Sequence, residues 1–184
     1  MESIRQLYKI GLGPSSSHTM GPRKAALAFA AEAAGASSCT VTLFGSLAAT
    51  GKGHLTDKAI LDELQPLFPT EIVWKPDTVL PFHTNAMTFE AKFDDGRGPV
   101  SRTYYSVGGG DIVLDGEPRT PARSIYSMSR IKDIQQWCER TGKTYWEYVE
   151  ETEGPEIWDY LAEVWRVMKA AVERGIEAEG VLPG

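Results

Sequence analysis

Residues 86–107 read AMTFEAKFDDGRGPVSRTYYSV, and the fold turns on how this stretch is read. Met87, Phe89, Ala91 and Phe93 alternate with Thr88, Glu90 and Lys92, the two-residue period of a strand with one apolar face. Asp94, Asp95 and Gly96 supply turn chemistry, and Val100 to Val107 resume an extended run, so the segment reads as a β-hairpin. Gly108 to Gly110 then interrupt the chain before Asp111-Ile112-Val113-Leu114, which Asp115 and Gly116 close. No GxGxxG follows a strand here, so the glycine triplet is weak evidence for a dinucleotide loop and reads at least as well as a bulge or a close backbone approach.

Upstream, CTVTLFGS (39–46) alternates Val41 and Leu43 with Thr40 and Thr42, a strand with one wet face, and EIVW (71–74) is a further short strand. PRKAALAFAAEAA (22–34) is helical, with Pro22 in the first turn and Gly35 as its stop. LAATGKGH (47–54) reads as a loop, and Thr56 as the cap of a helix carrying Ala59, Ile60 and Leu64 on one face. From about residue 129 the pattern turns helical. Ser129 is the expected cap of RIKDIQQWCER and Gly142 its end. A last helix starts at Pro155, with Ile157, Trp158, Leu161, Val164, Trp165, Met168 and Ala171 on one stripe and Gly175 as the stop. The class is α/β (α+β), a mixed, largely antiparallel sheet covered by helices. Residues 1–178 read as a single domain and 179–184 as the start of a linker.

With 184 residues, 42% of them hydrophobic, the chain can bury one ordinary core. The net charge of −6 and the lack of a dense basic run argue against a nucleic-acid surface. No apolar stretch approaches the ~20 residues that span a bilayer, and MESIRQLYKIG has no apolar signal-peptide core. Cys39 and Cys138 lie far apart and form no metal-ligand pair, so they read as ordinary thiols of a reducing cytosol. The expected protein is cytoplasmic, with no nucleic-acid or membrane partner.

All three histidines lie in polar or turn-forming loops: His18 in PSSSHTMGP, His54 in TGKGHLTD and His83 in LPFHTNAM. Imidazole is the side chain best suited to exchange a proton near neutral pH, and three alike settings point to a shared site. Ser15, Ser16 and Ser17, with Thr19, bring hydroxyls and N–H groups just ahead of a helix, where unpaired donors favour a carboxylate or phosphate. Gly51-Lys52-Gly53 lacks the spacing of a phosphate-binding P-loop; its glycines let the backbone turn and place His54 at the start of the next helix.

Taken in order, KIGLGPSSSHTMGP, FGSLAATGKGHLTDKAI, LPFHTNAM, TYYSVGGGDIV and EGVLPG resemble the β domain of iron–sulfur L-serine dehydratases over nearly the whole chain. The resemblance implies a fold like the allosteric substrate-binding domain of certain phosphoglycerate dehydrogenases. It implies half of an enzyme that converts L-serine, through aminoacrylate, to pyruvate and ammonia. It also implies a [4Fe–4S] cluster as Lewis acid, held by cysteines of an α part absent from this sequence. Carried over residue by residue, His54 is the candidate base for the α-proton and His18 a second acid/base or a substrate anchor. Ser16, Ser17 and Thr56, with Ser15 and Thr19 in the same loops, would hold the substrate carboxylate. His83 and Asn85 would face the same pocket, and Lys52 would support the carboxylate by charge. The implied partners are the iron–sulfur α chain or domain and L-serine, with an isologous homodimer as the default assembly. The competing readings are a regulatory module sensing serine or another small carboxylate, and an assembly domain whose last helix forms a dimer surface through Trp158 and Trp165.

Overall fold

Five strands run through the middle of the chain: β1 (Ser38–Phe44), β2 (Thr70–Lys75), β3 (Asn85–Lys92), β4 (Val100–Gly108) and β5 (Asp111–Leu114). In the computed structural model, which describes residues 1–118 and 123–181, they form one sheet in the order β2-β1-β3-β4-β5. β1 and β2 are parallel, and every other neighbouring pair is antiparallel, which is the mixed, largely antiparallel sheet expected from the sequence. The hairpin is β3 and β4, with Met87 opposite Tyr104 and Phe89 opposite Arg102. The glycine triplet is the turn into β5, and the pairing register slips between Ser106 and Gly108, as a bulge requires.

The helices are α1 (Ile4–Leu7), α2 (Gly21–Glu32), α3 (Gly45–Thr50), α4 (Thr56–Leu64), α5 (Ile131–Thr141), α6 (Tyr145–Glu153) and α7 (Ile157–Glu177). A parallel pair needs a crossover, and α3 and α4 supply it between β1 and β2. The described residues fall into two compact units, one made of residues 11–118 with 181 and the other of residues 1–10 with 123–180.

In the larger unit Phe29 of α2, Leu47 of α3, Ile60 and Leu64 of α4, and Val41, Leu43, Met87 and Phe89 of the sheet are fully buried together. Each contributes about 1.5–3 kcal/mol by leaving water, and the Phe29 and Phe89 rings stack at 5.1 Å. The apolar face read from AMTFEAKF is therefore the core face. The opposite face is less wet than the alternation suggests. Thr42 is buried because β1 is a central strand, flanked by Val73 and Thr88, and the Thr88 and Thr103 hydroxyls bond at 2.7 Å.

The smaller unit centres on Tyr126, Ile134 and Tyr148. Its N-terminal segment is tied down by Glu153, whose carboxylate accepts from Ser3 Oγ at 2.6 Å, the Ile4 N–H at 2.7 Å and the Tyr126 hydroxyl at 2.8 Å. Burial alone raises the pKa of this carboxyl, but the three donors together hold it below the usual carboxylate range.

Several local expectations are corrected. LAAT is not loop but most of α3. Thr56 does not cap α4; the residue before the helix is Leu55 in the left-handed conformation, and the Thr56 hydroxyl is used elsewhere. α5 begins after Arg130 with no side-chain cap from Ser129, although Gly142 ends it at φ +71° as expected. α7 runs through Gly175 to Glu177, absorbing a helix-interior glycine at a cost of about 1 kcal/mol. Its single stripe splits, with Ile157 and Val164 buried while Trp165 is 65% exposed. Of the stretch read as a linker, residues 182–184 lie outside the described residues.

Candidate active site

The serine-rich stretch winds into a five-residue π-turn, Ser16–Met20, that runs directly into α2. Ser15 sets it up: its Oγ accepts the His18 N–H at 3.1 Å, and its carbonyl accepts from the N–H groups of both Thr19 and Met20. Single π-turns are rare and concentrate at functional sites. Here the turn brings the Ser17 hydroxyl within 3.0 Å of His18 Nδ1.

The second wall comes from the end of β1. Gly45 adopts φ +49°, and a Cβ there would lie 2.6 Å from the Thr84 carbonyl, so the strand-to-helix turn requires glycine. Ser46, next in the chain, donates its N–H to the Thr84 carbonyl at 3.2 Å and places its Oγ 3.0 Å from His18 Nε2. Both ring nitrogens of His18 are thus bonded to serine hydroxyls. Burial first, and His54 second, hold the His18 imidazole below its usual pKa against an opposing contribution from Ser46, which favours the neutral ring.

Two threonines lock the histidine loops to each other. Thr19 Oγ1 donates to the His54 carbonyl at 2.7 Å, and Thr56 Oγ1 donates to the His18 carbonyl at 2.5 Å. Both threonines are fully buried. This crossed pair holds the His18 and His54 rings with centroids 4.8 Å apart. His54 Nδ1 lies 2.9 Å from the Thr50 carbonyl. A carbonyl only accepts, so Nδ1 carries a proton and the neutral ring keeps its lone pair on Nε2, as a base requires. The next residue, Leu55, has φ +56° and is the one non-glycine residue with positive φ among the described residues. Such strain collects where surrounding structure enforces a functional geometry.

The remaining sequence-predicted residues are placed as follows. Ser16 is exposed on the π-turn. Lys52 is exposed, with its amine 5.7 Å from the centroid of the Trp74 ring. His83 is half-buried; its Nδ1 accepts the Asn85 N–H at 3.0 Å, which puts the proton of the neutral ring on Nε2. Asn85 is buried opposite Gly45 at the start of β3, and its Oδ1 has no hydrogen-bond partner. The structure thus joins His18, His54, Ser15, Ser17, Thr19 and Thr56 directly. Ser46 and Thr84 connect that cluster to the His83–Asn85 segment. Ser46, bonded to His18, is the member of this cluster that sequence reasoning passed over; its position straight after a strand-ending glycine was the available signal. A cavity of about 530 Å³ in the smaller unit, lined by Met1, Ile4, Leu7, Tyr126, Ile134 and Tyr148 among others, touches none of the predicted site residues.

The residues do not fit an iron–sulfur cluster on this chain. Among the described residues no group of three or more His, Cys, Asp or Glu could hold a metal ion. The two thiols belong to different units, and burial pushes the Cys39 thiol up to about 11, away from the thiolate a cluster needs.

The family model described as serine dehydratase beta chain matches residues 3–71 and 64–117. Among curated proteins, the chain is 33% identical over 233 aligned positions to L-serine dehydratase 2 of Escherichia coli, covering 100% of this chain and 51% of the relative. It is 32% identical to L-serine dehydratase of Streptomyces coelicolor, with 99% and 51% covered, and 34% identical to that of Mycobacterium bovis, with 99% and 50% covered. The chain therefore spans about half the length of the curated relatives it matches. The aligned stretch exceeds this chain's 184 residues, so the relatives carry inserted residues within it. The polar loops that join His18 to His54 fall inside the matched region, and the chain belongs to the serine dehydratase beta chain family.

Proposed function

We propose that this chain is the β part of an L-serine ammonia-lyase, contributing acid/base and substrate-binding groups to a pocket completed by an iron–sulfur α part. The observation that carries the reading is the His54 imidazole. Its Nδ1–H is committed to the Thr50 carbonyl, its Nε2 is the basic nitrogen, and its ring sits 4.8 Å from His18 beside the serine π-turn. The α-proton of an amino acid is weakly acidic, so its removal needs a positioned base and donors facing the developing charge. In this reading His54 Nε2 takes that proton, while the hydroxyls and backbone N–H groups of Ser16 and Ser17 face the carboxylate. His18, bonded at both nitrogens, orients the serine hydroxyls and shuttles a proton between them. Thr19 and Thr56 hold the two histidine loops in register. The [4Fe–4S] cluster is assigned to the α part, where it supplies Lewis-acid chemistry at the substrate hydroxyl. A sensor of small carboxylates would need the hydroxyls but no basic nitrogen held in a set tautomer, which is why the lyase reading is preferred.

The test is anaerobic assembly with an α partner and an assay of pyruvate from L-serine. His54→Ala is expected to abolish turnover while keeping serine affinity within about tenfold. Near-normal kcat in that variant removes His54 from the role.

A further inference from the structure

Two polar atoms at the same end of the sheet are buried and have no hydrogen-bond partner: Asn85 Oδ1 and Ser106 Oγ. They are neighbours by register. Ala86 of β3 pairs with Tyr105 of β4, so the next step of that antiparallel ladder sets Asn85 opposite Ser106, and cross-strand partners present their side chains on the same face. That face also carries Met87 and Tyr104, two positions back along the ladder, and it is the face α2 covers. Asn85 also bridges to Gly45, adjacent to the Ser46 that holds His18. Ser106 lies directly beneath the junction of the π-turn and α2, where a Cβ on Gly21 would come within 2.2 Å of its Oγ. Asn85 is 8% exposed and Ser106 is 0% exposed. The fold gains nothing from a buried amide oxygen and a buried hydroxyl left unpaired, and such groups are conspicuous exceptions in native proteins.

We propose that Asn85 Oδ1 and Ser106 Oγ form the subsite for the α-ammonium of the amino-acid substrate, at the sheet end of the pocket whose opposite pole is the serine turn. The argument is one of complementary chemistry. The Asn85 amide oxygen only accepts, so a carboxylate oxygen set against it would leave it unpaired, whereas an ammonium brings three N–H groups and no acceptor and can donate both to it and to the Ser106 hydroxyl oxygen. The serine turn, rich in hydroxyl and N–H donors, suits the carboxylate. The two poles together read a zwitterion and orient its α-hydrogen, and this inference rests on the amino-acid reading given above. Ser106 is assigned by nothing in the sequence pattern, since it sits inside an ordinary strand.

The experiment compares L-serine with 3-hydroxypropionate, which lacks the ammonium, and ethanolamine, which lacks the carboxylate. Each is titrated into the full chain and into the enzyme assembled with its α partner. Ser106→Ala is expected to weaken L-serine binding about tenfold and to leave 3-hydroxypropionate unchanged. Asn85→Asp, which keeps the shape and adds negative charge, is expected to sharpen the preference for L-serine over 3-hydroxypropionate. Either variant weakening both ligands by the same factor, or altering only thermal stability, overturns the ammonium assignment and leaves the lyase reading standing. An assembled enzyme that keeps this ligand pattern yet forms no pyruvate defeats the lyase reading and leaves the subsite in place. Failure of the unsubstituted protein to prefer L-serine over 3-hydroxypropionate, alone or assembled, defeats the subsite outright.

Discussion

At the scale of single residues, the site depends on hydroxyl groups whose partners lie far away in sequence. Thr56 is chemically an ordinary first residue of a helix, yet its hydroxyl reaches the His18 carbonyl across 38 positions. Thr56→Val keeps the shape and deletes the donor. It is expected to cost about 1 kcal/mol in urea unfolding, because a half-buried carbonyl loses its partner, and, on the proposed lyase reading, to reduce turnover of the assembled enzyme by loosening the histidine pair. His18 carries a pH prediction. Its pKa in the folded chain is lowered from 6.5 by burial and by His54, so between the folded and unfolded values the unfolded chain binds more protons. The stability it confers is complete above about pH 6.5 and is lost as pH falls through the folded value. Unfolding free energies measured from pH 8 to pH 5 should fall on the acid side, and His18→Gln should flatten that slope. An unchanged slope would show that His18 is not the group responsible.

At the scale of elements, α2 approaches β4 closely because position 21 has no side chain. Gly21→Ala drives a Cβ to 2.2 Å from Ser106 Oγ and 2.9 Å from Ser106 Cβ, and it is expected to destabilise the larger unit by about 1–3 kcal/mol. Adding Ser106→Gly should recover most of that loss, a coupling that a double-mutant cycle reads directly; strictly additive losses would refute the contact. The hairpin was legible in the sequence because Met87, Phe89 and Ala91 obey a period that only a half-buried strand satisfies. The helix α2 was legible because alanine propensity and Gly35 agree. α3 was not, because Gly45, Thr50, Gly51 and Gly53 are turn residues by type, and only burial of Leu47 against the sheet makes six residues helical. The histidine loops were recognisable by composition. Their crossing by Thr19 and Thr56 was not, because local pattern carries no record of contacts between residues so distant in sequence. Ser46 and Ser106 escaped for the same reason: each looks like a strand or helix residue until its neighbours in space are known.

At the scale of the whole molecule, the two units have very unequal interiors. The larger is built on the stacked phenylalanines and aliphatic residues of α2, α3, α4 and the sheet, while the smaller centres on Tyr126, Ile134 and Tyr148. Less buried apolar surface means less stability. Of the five tryptophans only Trp74 lies in the larger unit; Trp137, Trp146, Trp158 and Trp165 lie in the smaller. Tryptophan emission therefore reports chiefly on the weaker core. It is expected to change at lower urea than the loss of hydrogen-exchange protection in β1 and β3. Coincident transitions would mean that the smaller core is as stable as the larger one.

The crossed threonines have an implication for descent. Each hydroxyl serves the loop that the other belongs to, so losing one leaves its counterpart fastening a loop that has already come adrift. Homologous sequences should therefore keep both threonines or exchange both, and lineages caught with a single survivor should be scarce.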